Sequence, residues 1–118
     1  MKYPYPRLDQ EGYEFEVVEA DQWQEQGFIR APVPSDESRF SVQAGDFVKL
    51  IFNWRDPIVK NGQTFTAEHM WVIVTGDGYG WIEGELNNDP GYSKILECGA
   101  TVRFHPKHII AIEPPTNT

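Results

Sequence analysis

The chain of 118 residues carries 18 acidic against 10 basic side chains, a formal charge of −8, and is 40% hydrophobic. That length and apolar content suit one domain with one modest core, and the acidic balance opposes binding to a phosphate backbone, whose counterions only Lys and Arg replace. Nucleic acid is therefore excluded as an expected partner, and a basic protein surface suits the field better.

Cys98 is the single cysteine, so neither an intrachain disulfide nor a cysteine-based zinc site can form. No apolar run approaches the roughly 18 residues that cross a bilayer. A cytoplasmic protein without a membrane segment is expected.

Residues 1–27 read as an N-terminal arm. Two Tyr-Pro pairs, Tyr3-Pro4 and Tyr5-Pro6, forbid a regular start. Tyr13 to Val18 alternates apolar and acidic residues with period two, the pattern of an edge strand with its glutamates in water. Glu19 to Gln26, followed by Gly27, allows a short helix with a glycine stop.

Phe28 to Pro34 is apolar but broken by Pro32 and Pro34, which lack the N–H a central strand donates, so it reads as an extended edge segment. Ser35 to Phe40 fits one helical turn capped by Ser35, with Ser38 where a capping box wants a carboxylate. Gln43 to Asp46 reads as a turn. The strand that follows to Trp54 has apolar residues on both faces, so one face needs a cover other than the main core, for which the arm is the candidate. Arg55 to Gln63 holds two turn formers, Asp56-Pro57 and Asn61-Gly62, and is expected to be a loop.

Glu68 to Leu86 is the clearest stretch, a β-hairpin of β-branched and aromatic residues around Gly76-Asp77-Gly78. Alternation puts Met70, Val72 and Val74 on its inward face and His69, Trp71, Ile73 and Thr75 on the other. On the second strand Gly80, Ile82, Gly84 and Leu86 face inward, with glycines that let the strand coil, and Tyr79, Trp81, Glu83 and Glu85 face outward. Asn87 to Gly91 is a loop, and Tyr92 to Leu96 leads to a turn at Cys98-Gly99. His105-Pro106-Lys107-His108 suits a single 3₁₀ turn between a strand at 100–104 and a closing strand at 109–112, and residues 113–118 form a frayed tail.

Strands at about 46–54, 68–75, 79–86, 100–104 and 109–112 predict a mainly β fold, a five-stranded antiparallel SH3-like barrel with the arm as an extension. Residues 1–118 make a single domain, with the barrel and its lead-in at 28–112. A sheet that closes leaves few edges and suits a monomer.

Four blocks carry a resemblance: Gly45 to Phe52, Glu68 to Val72, Gly84 to Pro90 and Val102 to Ile109. Their order and spacing resemble the bacterial domain of unknown function catalogued as number 2314, over about residues 28–112, with Gly84-x-Leu86-x-Asn88-x-Pro90 the most specific piece. The resemblance implies a small bacterial cytoplasmic protein with no assigned activity. An immunity-like role, blocking a toxin, is an analogy from related small families.

The candidate chemistry is sparse. His69, His105 and His108 could serve a metal-dependent or hydrolytic enzyme if they converged, but the Cys pairs and helical His motifs of known metal sites are missing, and ordinary polar histidines are favoured. Cys98 beside Glu97 lacks an activating base, and Glu83 with Glu85 makes an acidic face before it makes an acid and base pair. No catalytic residue, metal or cofactor is therefore expected. Trp71 is expected to be structural. The leading reading is a non-enzymatic module that meets a protein partner, a basic one, through Trp54, Tyr79, Trp81, Glu83, Glu85 and Tyr92. The competing reading is that the N-terminal arm covers these aromatics.

Overall fold

The computed structural model of the chain describes residues 5–20, 23–26, 29–77, 80–91 and 95–114. The fold is mainly β, an antiparallel sheet curled into a half-barrel. Its elements in order are α1 (Leu8–Glu11), β1 (Tyr13–Phe15), β2 (Trp23–Gln26), β3 (Ile29–Pro32), α2 (Asp36–Arg39), β4 (Phe47–Lys60), β5 (Gln63–Asp77), β6 (Ile82–Leu86), β7 (Thr101–Phe104), a 3₁₀ turn (Pro106–His108) and β8 (Ile109–Glu113). The main sheet runs β1-β4-β5-β6-β7, with β8 also on β4, while β2 and β3 pair by themselves.

Alternation decides which side chains enter the core. Val48, Leu50, Phe52 and Trp54 of β4, Met70, Val72 and Val74 of β5, Ile82 and Leu86 of β6, and Val102 and Phe104 of β7 are all buried in one cluster with Tyr13, Phe15 and Ile109. The inward face of the hairpin is thus the one expected from its period of two. The second apolar face of β4 also finds its cover: Ile51 packs against Val18, Val33 and Ile110. Strand alternation sends the consecutive Ile109 and Ile110 to opposite destinations, the main core and this smaller cluster, at the point where the β4–β8 ladder slips by one residue between Lys49 and Leu50.

Several local expectations are corrected. Arg55 to Gln63 is not a loop: β4 and β5 continue to a two-residue turn at Asn61 and Gly62, with φ of 52° and 77°. Positive φ at both central residues is the hairpin geometry that Asn-Gly favours. Pro57 is accommodated because the register slips between Asn53 and Ile58, where the ladder asks for no N–H. Within the stretch 19–26, expected as a short helix, Trp23–Gln26 is instead a strand against Ile29–Pro32. Its polar residues offer no helical apolar stripe, and pairing satisfies the backbone instead. A single helical turn lies at Leu8–Glu11, within the arm expected to be extended, and Glu113 belongs to β8, opposite Phe47, rather than to a frayed tail.

The edge strand expected in the arm is present as β1, and Tyr13 and Phe15 lie opposite Trp54 and Phe52. Ser35 caps α2 as its sequence suggested, its hydroxyl accepting the N–H of Ser38 at 3.2 Å.

The residues of the Gly84-x-Leu86-x-Asn88-x-Pro90 stretch have separate physical tasks. Leu86 fills the core. Asn88 Oδ1 accepts the Trp71 N–H at 2.7 Å while the Asn87 N–H donates to the Trp71 carbonyl at 2.9 Å, so a side chain prolongs the ladder one step past β6. Glu68, itself buried, holds the far end of this loop by accepting the Gly91 N–H at 3.0 Å.

Of the two glycines expected to face inward on the second hairpin strand, only Gly84 is packed. A Cβ there would lie 2.5 Å from Val72 Cγ1 and 2.7 Å from the Ile73 carbonyl oxygen, whereas one at Gly80 would meet open space. Gly80 instead serves a turn conformation, with φ of 85°. Gly84→Ala is expected to destabilise the fold by about 1–3 kcal/mol through overpacking against backbone. Urea denaturation checks it, and an unchanged midpoint would refute the close approach.

Candidate functional site

Of the described residues read from sequence as a partner surface, Trp54 lies in the core, while Trp81, Glu83 and Glu85 alternate on the side of the hairpin strand opposite Ile82, Gly84 and Leu86. Trp54 is 5% exposed. It packs among Tyr13 and Phe52, with ring centroids 6.2 and 5.9 Å away. β4 does not end at Trp54 but carries it inward in step with Val48, Leu50 and Phe52, and β1 of the arm lies alongside. For Trp54, cover by the arm is the outcome. Tyr79 and Tyr92 lie outside the described residues.

Trp81 is half-buried beneath Arg103, whose guanidinium carbon stands 5.2 Å from the ring centroid. Glu83 is loosely paired with the same arginine, 3.9 Å away, and Glu85 is exposed on the outer face. The acidic character of that face is therefore partly neutralised by Arg103. Trp71 is half-buried on the convex side under the Lys49 ammonium, 5.4 Å from its ring, so its structural weight comes from its backbone bonds to Asn87 and Asn88 rather than from a core side chain.

The histidines do not converge. His69 sits on β5 opposite Ile51. His105 and His108 share the 3₁₀ turn, and each spends its Nδ1 on backbone: His105 accepts the Lys107 N–H at 3.0 Å, and His108 accepts the His105 N–H at 2.9 Å. This reciprocal cap makes both side chains part of the turn. Burial lowers the pKa of both, and His108, with His105 beside it, is brought down to about 4. Among the described residues no group of three His, Cys, Asp or Glu side chains is placed to hold a metal ion. Cys98 lies in the expected turn with Gly99 and is exposed.

The structure assembles a different site, which chain order conceals. A groove of about 680 Å³ is lined by the Phe40–Ala44 segment after α2, by Val74, Gly76 and Asp77 of β5, by Gly80 to Ile82, and by His105 and Pro106. Its size falls among ligand clefts of about 300–1,000 Å³. Phe40 is 54% exposed, as are Val17, Val59 and Ile95 to a similar or greater degree, and of these four it is Phe40 that lines the groove. It meets His105 edge-on with centroids 5.6 Å apart.

Arg39 explains why Phe40 stands there. Its guanidinium is fully buried, donates to the carbonyls of Val18, Lys107 and Ile109 at 2.7, 3.3 and 3.3 Å, and pairs with Asp36 at 2.7 Å. With α2 riveted to the 3₁₀ turn and β8, the next side chain is delivered to the groove. Tyr5 ties two other walls together: its hydroxyl donates to the Gly80 carbonyl at 2.7 Å, and its ring stands edge-on to His105 and His108 at 6.0 and 5.3 Å.

Sequence reasoning missed Arg39, Phe40 and Asp77 as members of one site. The available signal was an apolar Phe40 just past a capped helical turn, next to an arginine.

Comparison with family models, with curated proteins and with solved structures finds no match for this chain in any of the three. Among the described residues no helix is long and apolar enough to cross a membrane.

The histidine turn gives a pH signature. His108 is neutral in the folded protein down to about pH 4, while an unfolded histidine takes its proton near 6.5. Between those values the unfolded state binds more protons, so stability falls as pH drops through the window and is unaffected above it. The loss from His108 at pH 5 is expected to be about 2 kcal/mol. Urea denaturation at pH 7.5 and pH 5 should show His108→Gln losing correspondingly less stability than the wild type between the two. Equal losses would show that His108 titrates normally.

Proposed function

We propose that the protein is a non-enzymatic interaction module, and that the groove beside Phe40, rather than the outer hairpin face as a whole, holds an extended segment of a protein partner. The observation that carries this reading is Phe40, 54% exposed at the wall of a groove of about 680 Å³ that also contains Trp81 and Pro106. A single exposed apolar side chain is ordinary, but one set at the wall of a preformed groove beside other apolar and aromatic groups gives a partner's side chain a place to dock. Aromatic anchors in a preformed groove are the usual source of binding energy at an interface. Trp81 is the residue shared between the sequence-based surface and this groove.

The net charge of −8 suits a basic partner, as an immunity-like role would supply. A chain with one exposed free thiol fits the cytoplasm. The histidines support the non-enzymatic reading in one respect: with Nδ1 of His105 and of His108 accepting a backbone N–H, the proton of each neutral ring sits on Nε2, which leaves neither a free basic nitrogen.

The test is selection of linear peptides displayed as a random library. Wild-type protein should enrich binders, and Phe40→Glu, a change at an exposed side chain that leaves the core intact, should enrich none of them. Equal enrichment on both proteins would place binding outside the groove.

A further inference from the structure

The two sides of the groove differ in chemistry. Ladder register sets Asp77 of β5 opposite Ile82 of β6, and Ile82 opposite Phe104 of β7, so Asp77 and the turn of His105 and Pro106 stand on either side of β6, and Phe40 meets His105 edge-on. Among the described residues that line the groove, Asp77 is the single formal charge. Asp77 is exposed, and Gly78 and Tyr79 after it in sequence bring no charge.

The nearest competing charges are occupied or turned elsewhere. Arg103 lies over Trp81 and against Glu83, Arg39 is spent on three carbonyls and Asp36, and Lys107 follows Pro106 without lining the groove. His105 on the aromatic side is held toward its neutral form by burial and by the neighbouring Lys107 and Arg39. The groove therefore offers an apolar, aromatic side and an anionic side within a protein that is anionic overall.

We propose that the occupant is an extended basic segment of a protein partner, bound with a Lys or Arg side chain at Asp77 and an apolar or aromatic side chain against Phe40, Trp81 and Pro106. This rests on the reading of the groove as a docking site and adds to it the chemistry and the polarity of the ligand. An acidic segment meets Asp77 and the field of the whole chain with the wrong sign, a repulsion that costs specificity and encounter rate as well as affinity.

Two libraries of linear peptides, alike in their apolar and aromatic positions but fixed with Lys and Arg in one and Asp and Glu in the other, separate the possibilities. The basic library should enrich on the wild type, and individual basic binders should weaken roughly fivefold or more on Asp77→Lys. Asp77→Lys should in turn enrich the acidic library, and Phe40→Glu should lose the wild-type binders. If Asp77→Lys keeps the wild-type preference, or if both libraries enrich equally on the wild type yet fail on Phe40→Glu, the assignment of Asp77 is wrong while the docking site stands. If neither library enriches on the wild type, the docking reading fails and this inference with it.

Discussion

Strand β4 has to satisfy its backbone on two edges, and the rest of the molecule is arranged to let it. One edge is taken by β5, while the other is shared by β8 over Phe47 to Leu50 and by β1 over Phe52 to Trp54. Unpaired N–H and C=O groups in the middle of a buried strand are costly. The N-terminal arm is therefore part of the sheet rather than an appendage to it. Because β1 occupies the edge beside Trp54, it also delivers Tyr13 and Phe15 to the core, and Phe15 packs edge-on to Phe52 at 4.7 Å.

The same arrangement produces the groove. With β8 on β4, the 3₁₀ turn before it is drawn toward α2, and the buried Arg39 crosses the gap by donating to carbonyls of three segments. A buried guanidinium is tolerated only when it is hydrogen-bonded and paired. Its position is thus tightly specified, and Phe40 inherits that specification. The groove is held at its other walls by Tyr5, which links Gly80 to the histidine turn. A site braced in this way needs little rearrangement when a ligand enters, which lowers the cost of binding.

Much of the fold could be read from local chemistry. The Ser35 cap, the turn at Gln43 to Asp46, the inward run Met70, Val72 and Val74, and the 3₁₀ turn at Pro106 all follow from signals within a few residues. Asn61-Gly62 shows the same signal misjudged, because Asp56-Pro57 just before it suggested a loop where a register slip absorbs the proline. The polar Trp23–Gln26 segment carries no periodicity of either kind, and only its pairing with Ile29–Pro32 makes it a strand.

The candidate site was barely legible, for a different reason. Alternation along β4 was enough to send Trp54 inward, but an apparent strand end beside a loop hid it. The groove draws its walls from the segment of Phe40 and Val42, from Val74, Gly76 and Asp77, from Gly80 to Ile82, and from His105 and Pro106, and no local pattern links these stretches. By itself the sequence determined the mainly β class, the faces of the hairpin and the acidic field, since each depends on side-chain type and a period of two. Only the tertiary structure decided that Phe40 stands in water in one groove with Trp81 and Asp77, because that depends on where Arg39 and the pairing of β8 bring distant segments together.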